Sequence, residues 1–218
     1  MNHSFLDKCI TLFTRPWFLL LWFMLLAVSY VYLDKPVALY FYGLYAIHLP
    51  YPLVALTSLG KNSLIMPILV LSVIFFWKIS PSLKWQSRML WLTACVIIPN
   101  LVTGVLKIIL GRARPEEWFW YQKYGFFGFN LDANFWSMPS GHTTTVIGLS
   151  LGLVYLWPRW RYLWLSVGLV VAASRILLWK HYISDVLSAV GLTVIMVGIV
   201  LQLFRQTRYH ESIERKSI

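Results

Sequence analysis

Apolar runs of bilayer length recur along this chain and leave it few folds to adopt. Residues 16–33, 62–77, 89–107, 139–157, 162–179 and 184–204 are each predominantly apolar, and a helical crossing needs about 20 such residues to traverse the hydrocarbon core. No water reaches a backbone amide at that depth, so each crossing must satisfy its own hydrogen bonds as a helix. The expected fold class is therefore all-α: a polytopic membrane protein with six transmembrane helices, forming a single membrane-embedded domain over residues 1–218. Charged residues make up 12% of the chain, against about 25% in a soluble domain. A soluble globule is excluded on that ground.

The formal charge of +11 would suggest nucleic acid in a soluble protein, but here it is explained by membrane orientation, and no nucleic-acid partner is expected. With the N-terminus in the cytoplasm, Lys8, Arg15, Lys78, Lys84, Arg88, Arg159, Arg161, Arg205, Arg208, Arg215 and Lys216 fall on that side, eleven of the nineteen basic residues. That is the distribution required by the positive-inside rule. Lys8 and Arg15 flank the first run as they would flank a signal peptide or a first crossing; its bulky core exceeds a signal h-region of about 7–15 residues, and it is read as an uncleaved helix. Residues 36–60 carry no charge but contain Pro36, Pro50, Pro52, Gly43, Gly60 and His48. An interfacial or re-entrant segment is expected there. Cys9 and Cys95 stand alone, giving no support to a disulfide framework or a thiolate metal site.

Polar residues inside or at the rims of apolar spans are costly and mark functional positions by default. Three clusters qualify. Lys107 and Arg114 lie seven residues apart at the end of the third span; if that helix continues they project on nearly the same side and suit a phosphate. Pro139-Ser140-Gly141-His142 opens the fourth span, where free N–H groups and the helix dipole favour an anion, Gly141 permits close backbone approach and His142 can carry a proton. Arg175, His181 and Asp185 bridge the fifth and sixth spans. A carboxylate four residues after a histidine can fix its tautomer and strengthen the other ring nitrogen as a nucleophile. Arg175 and His181 reach one site only if the fifth helix ends near Lys180. In the six-helix topology all three clusters meet at one membrane face, the non-cytoplasmic one.

Lys107-x6-Arg114-Pro115, Pro139-Ser140-Gly141-His142 and Ser174-Arg175-x5-His181-x3-Asp185, in this order, resemble the three signature motifs of the type 2 phosphatidic acid phosphatase superfamily at every motif position. The resemblance implies that His181 attacks phosphorus, Asp185 orients it and His142 protonates the leaving oxygen. Lys107, Arg114, Ser140, Gly141 and Arg175 would hold the phosphoryl oxygens, a task fixed cations can perform in place of Mg2+, so no metal or other cofactor is expected. The implied enzyme is a lipid phosphatase in the bacterial inner membrane, its site facing the periplasm or exterior. Its substrate would be phosphatidylglycerophosphate, undecaprenyl diphosphate, phosphatidate or lipid A 1-phosphate. The residues leave two other readings open. A phosphotransferase would intercept the same intermediate with an acceptor hydroxyl, and a non-catalytic lipid-phosphate binder or transporter would keep the cations alone.

The connection 111–138 is rich in aromatics and is read either as an interfacial belt or as a guide for lipid entering the site. Ser174 is expected to bond its own helix backbone, His48 and His210 to have no role, and Glu116 and Glu117 to lie near arginines they could partner.

Overall fold

The computed structural model describes residues 5–45 and 51–214 of the chain. Among the described residues the architecture is all helical, apart from an isolated antiparallel bridge between Arg112 and Phe126. The helices are α1 (Phe5–Phe13), α2 (Pro16–Val28), α3 (Asp34–Tyr45), α4 (Tyr51–Ser58), α5 (Asn62–Ile74), α6 (Leu83–Leu110), α7 (Pro115–Tyr121), α8 (Gly141–Leu156), α9 (Arg161–Leu177), α10 (Ile183–Phe204) and α11 (Arg208–Glu214). Five continuous helical stretches are long and apolar enough to cross a membrane: Pro16–Leu44, Tyr51–Ile79, Leu83–Leu110, Pro158–Leu177 and Ile183–Phe204. The remaining apolar helix, α8, is shorter, at 16 residues, or about 24 Å at 1.5 Å per residue.

The segment 36–60 departs from expectation. Its described residues are helical extensions of the two neighbouring spans rather than a separate interfacial piece. The prolines do not prevent this. Pro36 follows a wide π turn, Ser29–Leu33, in which the Asp34 N–H donates to Ser29 O, and such insertions absorb helix irregularities. Pro52 is the second residue of α4, where its missing N–H has no intrahelical partner to lose. The π turn also turns Ser29 and Asp34 inward to full burial while Val31, Tyr32 and Leu33 stay exposed. His48 and Pro50 lie outside the described residues.

The core is the packing of α6, α8, α9 and α10. Residues on α6 and α8 approach until a Cβ at Gly148 would lie 2.3 Å from Cys95 O. Gly148 and Gly152, four apart on α8, therefore form a small-residue seam against Leu92 and Cys95. Trp91 seals it by donating its indole N–H to Gly152 O at 2.9 Å. Around this core, residues such as Leu20, Phe23, Val31, Leu101, Val105 and Val170 remain exposed, an apolar periphery that suits lipid and not water.

The antiparallel arrangement sorts the helix ends. At one end the start of α6 meets α11 through Ser87 and Ser212, whose hydroxyls lie 2.6 Å apart, and the end of α10 meets α1 through Arg205 and Asp7 at 2.9 Å. At the other end lie the end of α6, the start of α8, the end of α9 and the start of α10. There Gly111 closes α6 in the left-handed region, with φ of 53°. A Cβ at that position would sit 1.9 Å from Gly128 O, so only glycine fits. The reversal pins the long loop back on the helix, with Phe127 N donating to Gly111 O at 3.0 Å and Asn130 N to Ile108 O at 2.9 Å.

Candidate active site

His181 and Asp185 are placed by the way α9 stops and α10 starts. After α9 ends at Leu177, Trp179 adopts φ of 43°, and Arg175 O accepts from both Lys180 N (3.1 Å) and His181 N (3.2 Å). That turn ends the helix close to the expected position and brings His181 under it. Asp185, in the first turn of α10, accepts from Tyr182 N through Oδ2 at 2.9 Å, so the residue that caps the helix also faces the histidine. His181 Nδ1 lies 3.5 Å from the same oxygen, an electrostatic contact longer than an ordinary hydrogen bond. Ser137 donates to that oxygen at 2.6 Å. Burial pushes the His181 imidazole well below its ordinary pKa, and Asp185 opposes this without reversing it. The ring is therefore neutral at physiological pH, the state a nucleophile requires.

The second carboxylate oxygen of Asp185 belongs to a network that begins at Asp34. Arg112, fully buried, donates to Asp185 Oδ1 and to Asp34 Oδ2, each at 2.6 Å, and to Ser184 Oγ at 2.6 Å. Asp34 in turn accepts from Ser184 N at 3.0 Å and from Ser184 Oγ at 2.5 Å. Tyr30, Phe126 and Tyr182 surround the guanidinium at 5.1, 5.4 and 4.8 Å from their ring centroids, a cation–π cage. Burial works against the Arg112 charge, but Asp185 and Asp34 outweigh it and hold the pKa above the ordinary arginine value. A buried charge is tolerated only when paired this way.

Three cations approach the two histidines from separate elements. Lys107 Nζ donates to Trp136 O at 2.6 Å, Arg114 Nε to Ala133 O at 3.0 Å and one Arg175 amino group to Thr57 Oγ1 at 3.0 Å. Loop and α4 groups thereby aim three cations from three elements. His142 lies within electrostatic reach of Arg175, Lys107, Arg114 and Lys61, and His181 within reach of Arg114 and Lys107. Ser140 precedes α8 without a side-chain cap, leaving first-turn N–H groups free for an anion. Its buried hydroxyl accepts from Thr143 Oγ1 at 3.0 Å, and its N–H donates to Asp185 O at 3.1 Å. The start of α8 is thus fastened directly to the start of α10. All eight residues singled out from the sequence, Lys107, Arg114, Ser140, Gly141, His142, Arg175, His181 and Asp185, stand at this one end of the bundle.

A family model described as the PAP2 superfamily matches residues 88–209, more than half of the chain. The chain belongs to the PAP2 superfamily. Two lipid A 1-phosphatases, from Rhizobium etli and Rhizobium johnstonii, are 32% identical to it over 108 residues, which is 50% of this chain and 46% and 43% of theirs. The match thus spans less than half the length of these relatives. The fold is similar to that of a transmembrane PAP2-type phosphatidylglycerolphosphate phosphatase from Bacillus subtilis, with a TM-score of 0.60 over 87% of this chain and 96% of that one at 20% identity. The two share an architecture.

In this PAP2 chain the sequence reading passed over Asp34, Arg112, Ser137, Ser184 and Thr57. Asp34 lies N-terminal to the matched region and carries a usable signal, an acid beside Lys35 inside a stretch whose other residues are uncharged. Arg112 sits within the first motif but was masked by its neighbour Arg114. The hydroxyls at 57, 137 and 184 carry no sequence mark at all. Ser174, as expected, bonds its own helix, donating to Val171 O at 2.6 Å. Glu116 pairs with Lys180, not with an arginine. Loop aromatics serve both sides: Tyr124 is half-buried and donates to Tyr30 O at 2.7 Å, Phe126 covers Arg112 with one part of its ring exposed, and Trp120, Tyr121 and Phe129 remain exposed.

Proposed function

We propose that this chain is a membrane lipid phosphatase that transfers the phosphoryl group of a lipid phosphate to His181 and then to water. The observation that carries the reading is the convergence of a neutral, carboxylate-backed histidine, a second histidine at a free helix start and three cations. The ring nitrogen of His181 remote from Asp185 attacks phosphorus as the bond to the leaving oxygen breaks, and His142, entering the step as an imidazolium once the substrate's negative charge offsets the surrounding cations, gives that oxygen its proton and becomes neutral. Water then attacks the phosphohistidine, His142 takes a proton from it, and inorganic phosphate leaves with His181 neutral again. Lys107, Arg114, Arg175, Ser140 and the Gly141 N–H would hold the three phosphoryl oxygens, where most of the transition-state charge resides. Asp185 stabilises the positive ring during attack, and Arg112 and Asp34 hold Asp185 in position.

The positive-inside balance supports six crossings, with α8 as the sixth, and a site on the non-cytoplasmic side of an inner membrane. Likeness to the two rhizobial proteins favours lipid A 1-phosphate among the candidate substrates, ahead of phosphatidylglycerophosphate, undecaprenyl diphosphate and phosphatidate. Purified protein in detergent should release phosphate from at least one of these four, and should do so in excess EDTA because the cradle is cationic. Labelled phosphate trapped at acid-labile linkage should map to His181. Phosphate mapped to His142, or activity recovered only with a divalent ion, would overturn the mechanism. Phosphate transferred to an added lipid hydroxyl in preference to water would identify a phosphotransferase instead.

A further inference from the structure

Continuous with the cradle, which it shares at Lys107 and Gly141, a cleft of about 350 Å3 opens between α5, α6 and the start of α8, and none of its walls carries an apolar side chain. In a chain that is 59% hydrophobic this needs a physical cause, because polar groups at membrane depth are costly. From α6 the lining is Asn100, Thr103, Gly104 and Lys107, spaced as one stripe of a helix. Asn100 thus lies two turns, about 10 Å, from Lys107 along the axis. From the start of α5 come Lys61, Asn62 and Ser63, and the Asn62 amide oxygen is buried without a partner among the described residues. Gly104 leaves the floor open, since a Cβ there would meet no atom within 4 Å.

His142 lines this cleft, whereas His181 and Asp185 do not. If His142 serves the leaving oxygen, as the proposed function holds and on which this inference rests, then whatever is attached to that oxygen occupies the cleft. We infer that the cleft is a subsite for the leaving group and that it selects a polyhydroxylated, sugar-like alcohol directly esterified to phosphate. An alkyl or isoprenyl leaving group would leave the Asn62 amide oxygen without a partner, whereas Asn100 is already held by Val96 O and Thr145 Oγ1 and contributes a polar wall. A site built to hydrogen-bond its substrate discriminates strongly against analogues that lack those groups. The volume lies at the lower end of the small-molecule range, about 300–1,000 Å3, suited to one or two sugar rings, and the acyl chains would remain in the bilayer.

The test compares kcat/KM in detergent for three lipids: a glycosyl 1-phosphate bearing acyl chains, phosphatidate and a polyprenyl diphosphate. Wild type should favour the glycosyl phosphate at least tenfold, and Gly104→Leu, which fills the cleft from an open position, should reduce that preference at least tenfold. Asn62→Leu should act in the same direction. Leu101→Ala, on the lipid-facing side of α6, should leave the preference intact. A wild type that favours phosphatidate or the diphosphate, or a Gly104→Leu variant that slows all three equally, would overturn the subsite while leaving the phosphatase reading standing. Release from none of the three, nor from phosphatidylglycerophosphate, would remove both.

Discussion

At the scale of single residues, the buried chain Asp34–Arg112–Asp185 determines how the candidate nucleophile is supported. Removing one member of such a set costs more than the set contributes, because it strands the others without compensation. Arg112→Met would leave two buried carboxylates, and a loss of about 3–5 kcal/mol is expected, read as a large fall in the unfolding midpoint in detergent. Asp34→Asn keeps a polar side chain beside Ser184 but removes the second charge on Arg112. It should fold, and kcat should fall roughly tenfold, or about 1.4 kcal/mol, with KM changed far less. An unaltered kcat would show that Asp34 serves folding alone. The histidine has its own signature in pH. Above about pH 6.5 both folded and unfolded states hold His181 neutral. Below it the unfolded chain binds a proton that the buried ring refuses, so stability should decline as pH falls. His181→Asn, which cannot titrate, should lose less stability between pH 7.5 and pH 5, and a slope equal to wild type would contradict the burial argument.

At the scale of elements, helix approach is limited by glycine. Gly148→Ala places a Cβ 2.3 Å from Cys95 O, which forces α8 off α6 and should cost about 1–3 kcal/mol. Gly43 meets nothing within 4 Å, and Gly43→Ala should be neutral or slightly stabilising through helix propensity. Thermal unfolding of the two variants side by side separates packing from propensity, and equal midpoints would refute the seam. The same reasoning applies where α6 ends. Gly111→Ala combines a left-handed backbone with a 1.9 Å clash and should unseat the loop that carries Arg114, Trp136 and Ser137, with activity lost together with stability.

At the scale of the whole molecule, the bundle has two unlike ends, and the bilayer must assign them to different sides. One end carries α1, α11 and the basic connections; the other carries the candidate site and the aromatic loop. In a background with Cys9 replaced by serine, Phe129→Cys, whose parent residue is exposed, should react with an impermeant thiol reagent in intact cells. Ser80→Cys should react only after permeabilisation. The opposite pattern would place the site on the cytoplasmic side and change the leaflet from which substrate is drawn.

What the sequence alone determined followed from local rules. Hydrocarbon thickness and backbone satisfaction dictated helices. The cations and histidines at the rims of apolar runs pointed to an anion site, because such groups are costly there; the expected helical neighbourhood of Lys107 and Arg114 does not form, since Gly111 ends α6 between them and the loop, not a continuing helix, places Arg114. Tertiary structure decided the remainder, because it concerns distances between residues far apart in sequence. Arg112 finds Asp34 78 residues away and Asp185 73 residues away, and Arg175 finds Thr57 across 118. Only packing brings such partners together. The path of the described residues of 36–60 was decided in the same way: Pro36 and Pro52 read as breaks in a linear string, but a π turn and a helix start accommodate them once neighbouring helices enclose Asp34 and Thr57. The cleft beside His142 has the same origin, since its walls come from three helices and no single stretch of sequence contains it.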